Sequence, residues 1–134
     1  LIFIGAEGSW HNLSKEQTAQ LVTLAEKVKA NGKVLGAICD SARFCAVNGL
    51  LNDVKHTVNT FDEIKDASLY TNGDKFVLTA TEAVSDHKVV TAKGDSALHF
   101  AVSVLRALGD VPKENIQFFY TLHTKGFLKA IQMN

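Results

Sequence analysis

Among the residue types able to do covalent or acid–base chemistry, one stands where a chain would place a nucleophile. Cys39 follows the apolar run Val34-Leu35-Gly36-Ala37-Ile38 and precedes Asp40-Ser41-Ala42-Arg43-Phe44, which reads as a buried strand turning abruptly into a helix. An elbow of this kind crowds its flanks, and the residues two before and two after the cysteine, Ala37 and Ser41, are small. A sulfur at the turn lies near the unpaired N–H groups that open the next helix, which favour thiolate over thiol. The opposing reading is a small, buried, inert side chain, the commonest role of free cysteine. Cys45, inside the following helix, takes that second reading. Asp40 works in both directions, because it can cap the helix start while its charge opposes ionisation of the neighbouring thiol.

A cysteine nucleophile ordinarily works with a histidine base that a third group orients. The chain has five histidines. His99 falls within a helical pattern, His87 at a hairpin tip and His123 in the last helix, so these three read as structural or solvated. His11, just past the first loop, and His56, in an extended piece after the elbow helix, remain, and His56 is set beside Cys39 as the candidate catalytic partner. The sequence names no acid as the orienting group, with Glu7 one candidate for it. Two cysteines make neither a disulfide framework nor a zinc site, so no metal and no cofactor is expected.

These residues need a scaffold, and a chain of 134 residues with 46% hydrophobic content supports one domain over 1–134. Fourteen basic side chains balance fourteen acidic ones, which removes the electrostatic case for nucleic acid or an anionic membrane surface and leaves a small-molecule substrate. No apolar run approaches the roughly 20 residues of a membrane span, and no leader pattern opens the chain, so a cytoplasmic protein is expected. Leu1-Ile2-Phe3-Ile4 reads as a core strand from the first residue.

Along the chain, Ser14-Lys15-Glu16-Gln17 has capping-box spacing, and Leu21, Leu24, Ala25 and Val28 recur at helical intervals up to Asn31-Gly32. After the elbow helix come an extended piece at Lys55–Asn59 and a short helix within Phe61–Ala67. Tyr70–Ala83 and Lys88–Ala92 alternate in a strand-like way about Ser85-Asp86-His87, which resembles a hairpin. Leu98, Ala101, Val102, Leu105 and Leu108 then share one side of a helix ending at Gly109, and Pro112 opens a final helix through Ile131, so residues 110–134 form a helical extension. Alternating strands and helices predict an α/β fold with a largely parallel sheet covered on both faces, whose sites form beyond the carboxyl ends of the strands. Cys39, the Gly5–Ser9 loop and the Gly94–Ser96 loop would converge there.

Three stretches carry a family resemblance: Gly36-Ala37-Ile38-Cys39, then Asn48-Gly49-Leu50-Leu51 leading to Lys55-His56-Thr57-Val58-Asn59, and Val89 through Ala101. Their order and spacing over residues 1–108 resemble the PfpI-type branch of the class I glutamine amidotransferase-like superfamily, which includes the Parkinson-disease-associated protein deglycase. The resemblance implies a flavodoxin-like three-layer sandwich with its first strand–helix unit missing, a reactive elbow cysteine at Cys39, and a homodimer. It places Gly5 and Ala6 where the family often has a glycine pair, so the oxyanion donors it implies are backbone N–H groups of Gly5, Ala6 and Asp40. Asp40 stands where peptidase-like members have histidine, which argues against a Cys-His peptidase. The expected function is therefore a cysteine-dependent enzyme attacking an amide or reactive carbonyl, of hydrolase, amidase, deglycase or glyoxalase type. The alternatives are a redox- or stress-responsive protein in which Cys39 is oxidised, and a scaffold with an inert thiol.

Overall fold

The computed structural model describes residues 1–133. One sheet is built from β1 (Ile2–Phe3), β2 (Leu35–Ile38), β3 (Val84–Asp86) and β4 (Val89–Ala92), in the spatial order β1-β2-β4-β3. The first three in that order run parallel, and β3 pairs antiparallel with β4. The helices are α1 (Lys15–Ala30), α2 (Asp40–Val47), α3 (Ala97–Leu108), α4 (Lys113–Lys125) and α5 (Phe127–Ile131). Side chains alternate across the pleat. Leu35, Ala37 and Val89 enter one core with Ala25 of α1 and Phe44 of α2, while Val34, Val90 and Ala92 enter another with Phe100 of α3. The result is the expected three-layer α/β sandwich.

The local signals explain most elements. Ser14 and Gln17 close a reciprocal capping box on α1, the Gln17 N–H donating to Ser14 Oγ at 3.1 Å and the Ser14 N–H to Gln17 Oε1 at 2.9 Å. His87 and Lys88 join β3 to β4 with φ of 48° and 62°, the two positive values that a tight two-residue hairpin requires. Gly36 lets α3 close on the sheet, since a Cβ there would lie 2.7 Å from Ile2 Cδ1 and 3.0 Å from Phe100 Cζ.

Four sequence expectations are corrected. Tyr70–Ala83 holds no strand. A 3-10 turn at Gly73–Lys75 interrupts it, and its only pairing is an isolated bridge between His56 and Phe76. The apolar residues there plug a cluster around His56 instead of alternating across a sheet. The short helix within Phe61–Ala67 is a single 3-10 turn at Phe61–Glu63. The final helix is two, because Gly126 at φ 84° and ψ 168° leaves helical geometry between α4 and α5. On α1 and α3 the buried stripes are narrower than the periodicity implies: Leu24 is 44% exposed and Leu108 48%, while Phe100 and Val102 are buried.

Candidate active site

Cys39 sits alone between the end of β2 and the start of α2, with φ 63° and ψ −131°. An L-residue held there stores about 1–3 kcal/mol, so the surroundings must over-determine it. They do. The Cys39 N–H donates to Ala92 O of β4 at 3.0 Å, and the Ala42 N–H closes back on Cys39 O at 3.0 Å. Ser41 Oγ accepts the Ile38 N–H at 3.0 Å and lies 2.7 Å from Phe3 O, which ties β1 to the elbow. A larger side chain at position 41 would part these strands.

Two glycines allow the neighbouring loops to approach the thiol. A Cβ on Gly5 would fall 2.7 Å from both Cys39 Cβ and Ile38 O, and one on Gly94 would fall 2.9 Å from Cys39 Sγ. The Gly5 loop is pinned beyond the site: Trp10 Nε1 donates to Ile4 O at 2.8 Å, and the indole packs between Phe3 and Phe44 with centroids 5.0 Å away from each. The three loops thus converge at the carboxyl ends of β1, β2 and β4, as the topology predicts.

Asp40 is 6% exposed, and its Oδ1 accepts the Ala6 N–H at 2.8 Å. The donor expected of Ala6 is therefore already engaged, a correction to its reading as an oxyanion donor. The Asp40 N–H, at the first position of α2, has no helical carbonyl to bind. Gly5 lines the cleft beside the sulfur.

His56 is not brought to Cys39. It is fully buried, its Nδ1 donates to Val54 O at 2.8 Å, and its Nε2 accepts from Tyr70 OH at 2.8 Å. The carbonyl partner fixes the proton on Nδ1, and both nitrogens are committed to holding the 54–59 segment on the core. Burial pushes the His56 pKa below its ordinary 6.5. The unfolded chain therefore binds a proton first, so stability falls as pH drops below 6.5 and levels off only beneath the lowered folded value. Urea unfolding at pH 8 and pH 5.5 should show this loss, and His56→Gln should reduce it; an unchanged slope in the variant would assign it elsewhere. His11 is exposed, His99 Nδ1 donates to Thr81 O, and His87 pairs with Asp86, so none of these reaches the sulfur either.

The group that does reach it is Asn59, three residues beyond His56. Asn59 Nδ2 lies 3.5 Å from Cys39 Sγ, and Asn59 Oδ1 accepts the Gly94 N–H at 2.9 Å. Because the Gly94 N–H can only donate, the amide orientation is fixed with its NH₂ toward sulfur. Asn59 offers a donor to the sulfur, or to an oxygen bonded to it, and cannot act as a base. The signal for it lay in the Lys55–Asn59 run, but spacing directs attention to the histidine, whereas the turn at Asn59 is what meets the elbow. Asn59→Ala should slow alkylation of Cys39 at neutral pH by about tenfold, and Asn59→Asp by more, since an acceptor then faces the sulfur. Stopped-flow labelling measures both, and rates equal to wild type would remove Asn59 from the site.

A cleft of about 370 Å³ opens over the thiol, walled by Ile4, Ile38, Ala97 and Phe100 with Glu7 at its margin. Cys39 is half-buried at its floor. Cys45 is fully buried, and burial pushes its thiol up to about 12, so it stays protonated. Among the described residues no cluster of side chains suits a metal ion, and no helix is long and apolar enough to cross a membrane.

A largely parallel α/β sandwich with a cysteine on a strained strand–helix elbow, flanked by glycine loops, defines a class of thiol-bearing flavodoxin-like proteins. The profile of the DJ-1/PfpI family matches residues 1–107, and the chain belongs to this family. It is 32% identical over 127 residues to "Uncharacterized protease YdeA" of Bacillus subtilis, covering 95% of this chain and 61% of that protein. It is 35% identical over 92 residues to "Uncharacterized protease YoaZ" of the same organism, covering 69% of this chain and 43% of that protein. Two crystal structures share the fold. A thiJ/pfpI family protein from Bacillus anthracis superposes with TM-score 0.82 at 24% identity, over 98% of this chain and 60% of its own. A DJ-1 superfamily protein from Agrobacterium tumefaciens superposes with TM-score 0.71 at 27% identity, over 91% and 65%. The chain thus spans about three fifths of the first relative and of the first structure.

Proposed function

We propose that this chain carries the nucleophile of a cysteine-dependent enzyme acting on an amide or a reactive carbonyl compound. The observation that supports this reading best is the strained backbone of Cys39, which holds the sulfur at the floor of a cleft at a stability cost that packing alone does not require. In the first step the thiolate attacks the carbonyl carbon. A C–S bond forms, the C=O π pair moves to oxygen, and that oxygen takes a proton or is held by the Asp40 N–H. With an aldehyde the product is a hemithioacetal; with an amide, collapse expels the amine and leaves a thioester for water to hydrolyse. A peptidase triad of the Cys-His arrangement is not part of this reading, since Asp40 follows the cysteine and His56 is engaged elsewhere. The relatives named as proteases are compatible with hydrolysis at the thiol but name no substrate. Glyoxal consumption or ammonia release by wild type but not by Cys39→Ser tests the proposal, and equal turnover by both would sink it.

The Asn59 donor facing Cys39 also favours a second reading, oxidation as the function. Peroxide would transfer one oxygen to the thiolate as its O–O bond breaks and hydroxide leaves. A second equivalent would give the sulfinic acid, whose oxygens could accept from Asn59. Selective oxygen addition at Cys39 under mild peroxide, with no turnover of glyoxals or amides, would favour this reading over the first. A homodimer and a reducing, cytoplasmic setting belong to the same proposal.

A further inference from the structure

The four residues from His56 to Asn59 join a buried, proton-binding ring to the amide that faces the thiol. At one end, His56 spends its Nδ1 hydrogen on Val54 O and its Nε2 lone pair on the Tyr70 hydroxyl. At the other, Asn59 bridges Gly94 and Cys39 through Oδ1 and Nδ2. Successive side chains of this extended run fall on opposite sides: His56 and Val58 pack into the core, while Thr57 and Asn59 meet β4 and the loop after it. Thr57 Oγ1 is buried with no partner, so the run is held with one polar atom unsatisfied. The bond from Tyr70 to His56 is therefore one that the run cannot lose and stay in place.

We propose that His56 and Tyr70 are positioning residues that hold Asn59 against the Cys39 sulfur, and that proton uptake by His56 withdraws Asn59 and lowers the reactivity of a thiol it never touches. A doubly protonated ring can only donate, so Nε2–H and the Tyr70 hydroxyl hydrogen would point at each other. The rings around the pair, Phe61 and Phe76, offer no acceptor in exchange. The charged groups on the elements packed against the ring are Asp53 and Lys55 in its own segment, Asp62 and Glu63 beside Phe61, Asp66 before Tyr70, and Asp74 and Lys75 before Phe76. None of them bonds the ring, and all are exposed except Lys75, which is half-buried and of like charge. The new cation is thus uncompensated where it sits, and turning His56 toward water relieves it. Burial holds the His56 pKa below 6.5, which sets the response in mild acid. This inference rests on the reactive-thiol reading above and deepens it by naming what regulates that thiol.

The test is the pH profile of Cys39 labelling by iodoacetamide from pH 8 to pH 5, with circular dichroism on the same samples. A lone thiol loses rate in proportion to its thiolate, no faster than one decade per pH unit. Wild type should lose about a further tenfold below pH 6.5, the same factor that Asn59→Ala loses at neutral pH. Asn59→Ala and His56→Gln should both lack this extra step, the first because the responding amide is gone and the second because nothing titrates. Tyr70→Phe should move the step to higher pH, because the hydroxyl stabilises only the neutral ring. A histidine with a purely structural role would produce neither the step nor its shift. A folded, labelled wild type without the step overturns this inference alone, as does a step that survives in Asn59→Ala or in His56→Gln. Loss of circular dichroism at the pH of the step also overturns it, since His56 would then guard the fold and not the thiol. Should His56→Gln fail to fold, Tyr70→Phe decides, and a step that stays in place there counts against the inference. A Cys39 that iodoacetamide labels at no pH overturns this inference and the proposed function together.

Discussion

Cys39→Ser is expected to reduce turnover of glyoxal or amide substrates by about a thousandfold or more, the scale seen when a covalent nucleophile is removed from an assembled site. Its stability should stay near wild type. Serine inherits the same φ of 63° and the same backbone bonds, from its N–H to Ala92 O and from the Ala42 N–H to its carbonyl. Only a sulfur-for-oxygen exchange is made, at a half-buried position. Cys39→Gly removes the thiol too, but it relieves the left-handed strain, so its unfolding free energy should rise by about 1 kcal/mol over Cys39→Ser. Thermal and urea unfolding of the three proteins, run beside the turnover assay, check both halves. If Cys39→Gly is no more stable than Cys39→Ser, the backbone at the elbow is not strained. If Cys39→Ser still turns over, the chemistry lies elsewhere.

This contrast also explains what the sequence could and could not reveal. The elbow was legible because strand-to-helix turns constrain composition over several adjacent residues, and Ala37, Cys39 and Ser41 satisfy that local pattern together. The capping box and the hairpin were legible for the same reason, each being a matter of neighbours. His56 misled because a histidine in an extended piece carries no sign of which side it faces. Its commitment to Tyr70 depends on a chain fold 14 residues long, and Tyr70 itself lay in a stretch whose alternation suggested a strand. Asn59 and Gly94 meet across 35 residues, and no spacing rule links an amide in one loop to an N–H in another. The engagement of the Ala6 N–H by Asp40 is likewise a contact between distant segments, and it turned an expected oxyanion donor into an anchor for the first loop. Non-local hydrogen bonds decided the site, while local ones decided the elements that present it.

The two glycines beside the thiol should separate fold from chemistry when each is replaced by alanine. At Gly5 the new Cβ would meet Cys39 Cβ and Ile38 O at 2.7 Å, and one of these is backbone at the end of a central strand. Neither can rotate away, so the Gly5 loop must lift. That movement strains the Ala6 N–H bond to Asp40, leaving a buried carboxylate whose other oxygen already has no partner. Gly5→Ala should therefore cost about 2–4 kcal/mol of stability through overpacking and loss of that bond. At Gly94 the obstacle, 2.9 Å away, is Cys39 Sγ, the far end of a side chain that can change rotamer, and the glycine itself is exposed. Gly94→Ala should cost much less stability, yet it displaces the sulfur from Asn59 and crowds the cleft, so alkylation of Cys39 should slow by tenfold or more, an order-of-magnitude figure from the loss of one such contact. Urea unfolding paired with maleimide labelling measures the two effects on the same samples. A Gly5→Ala protein as stable as wild type would mean that β1 does not need to lie against the elbow, and rapid labelling of Gly94→Ala would mean that the sulfur does not need its present position to react.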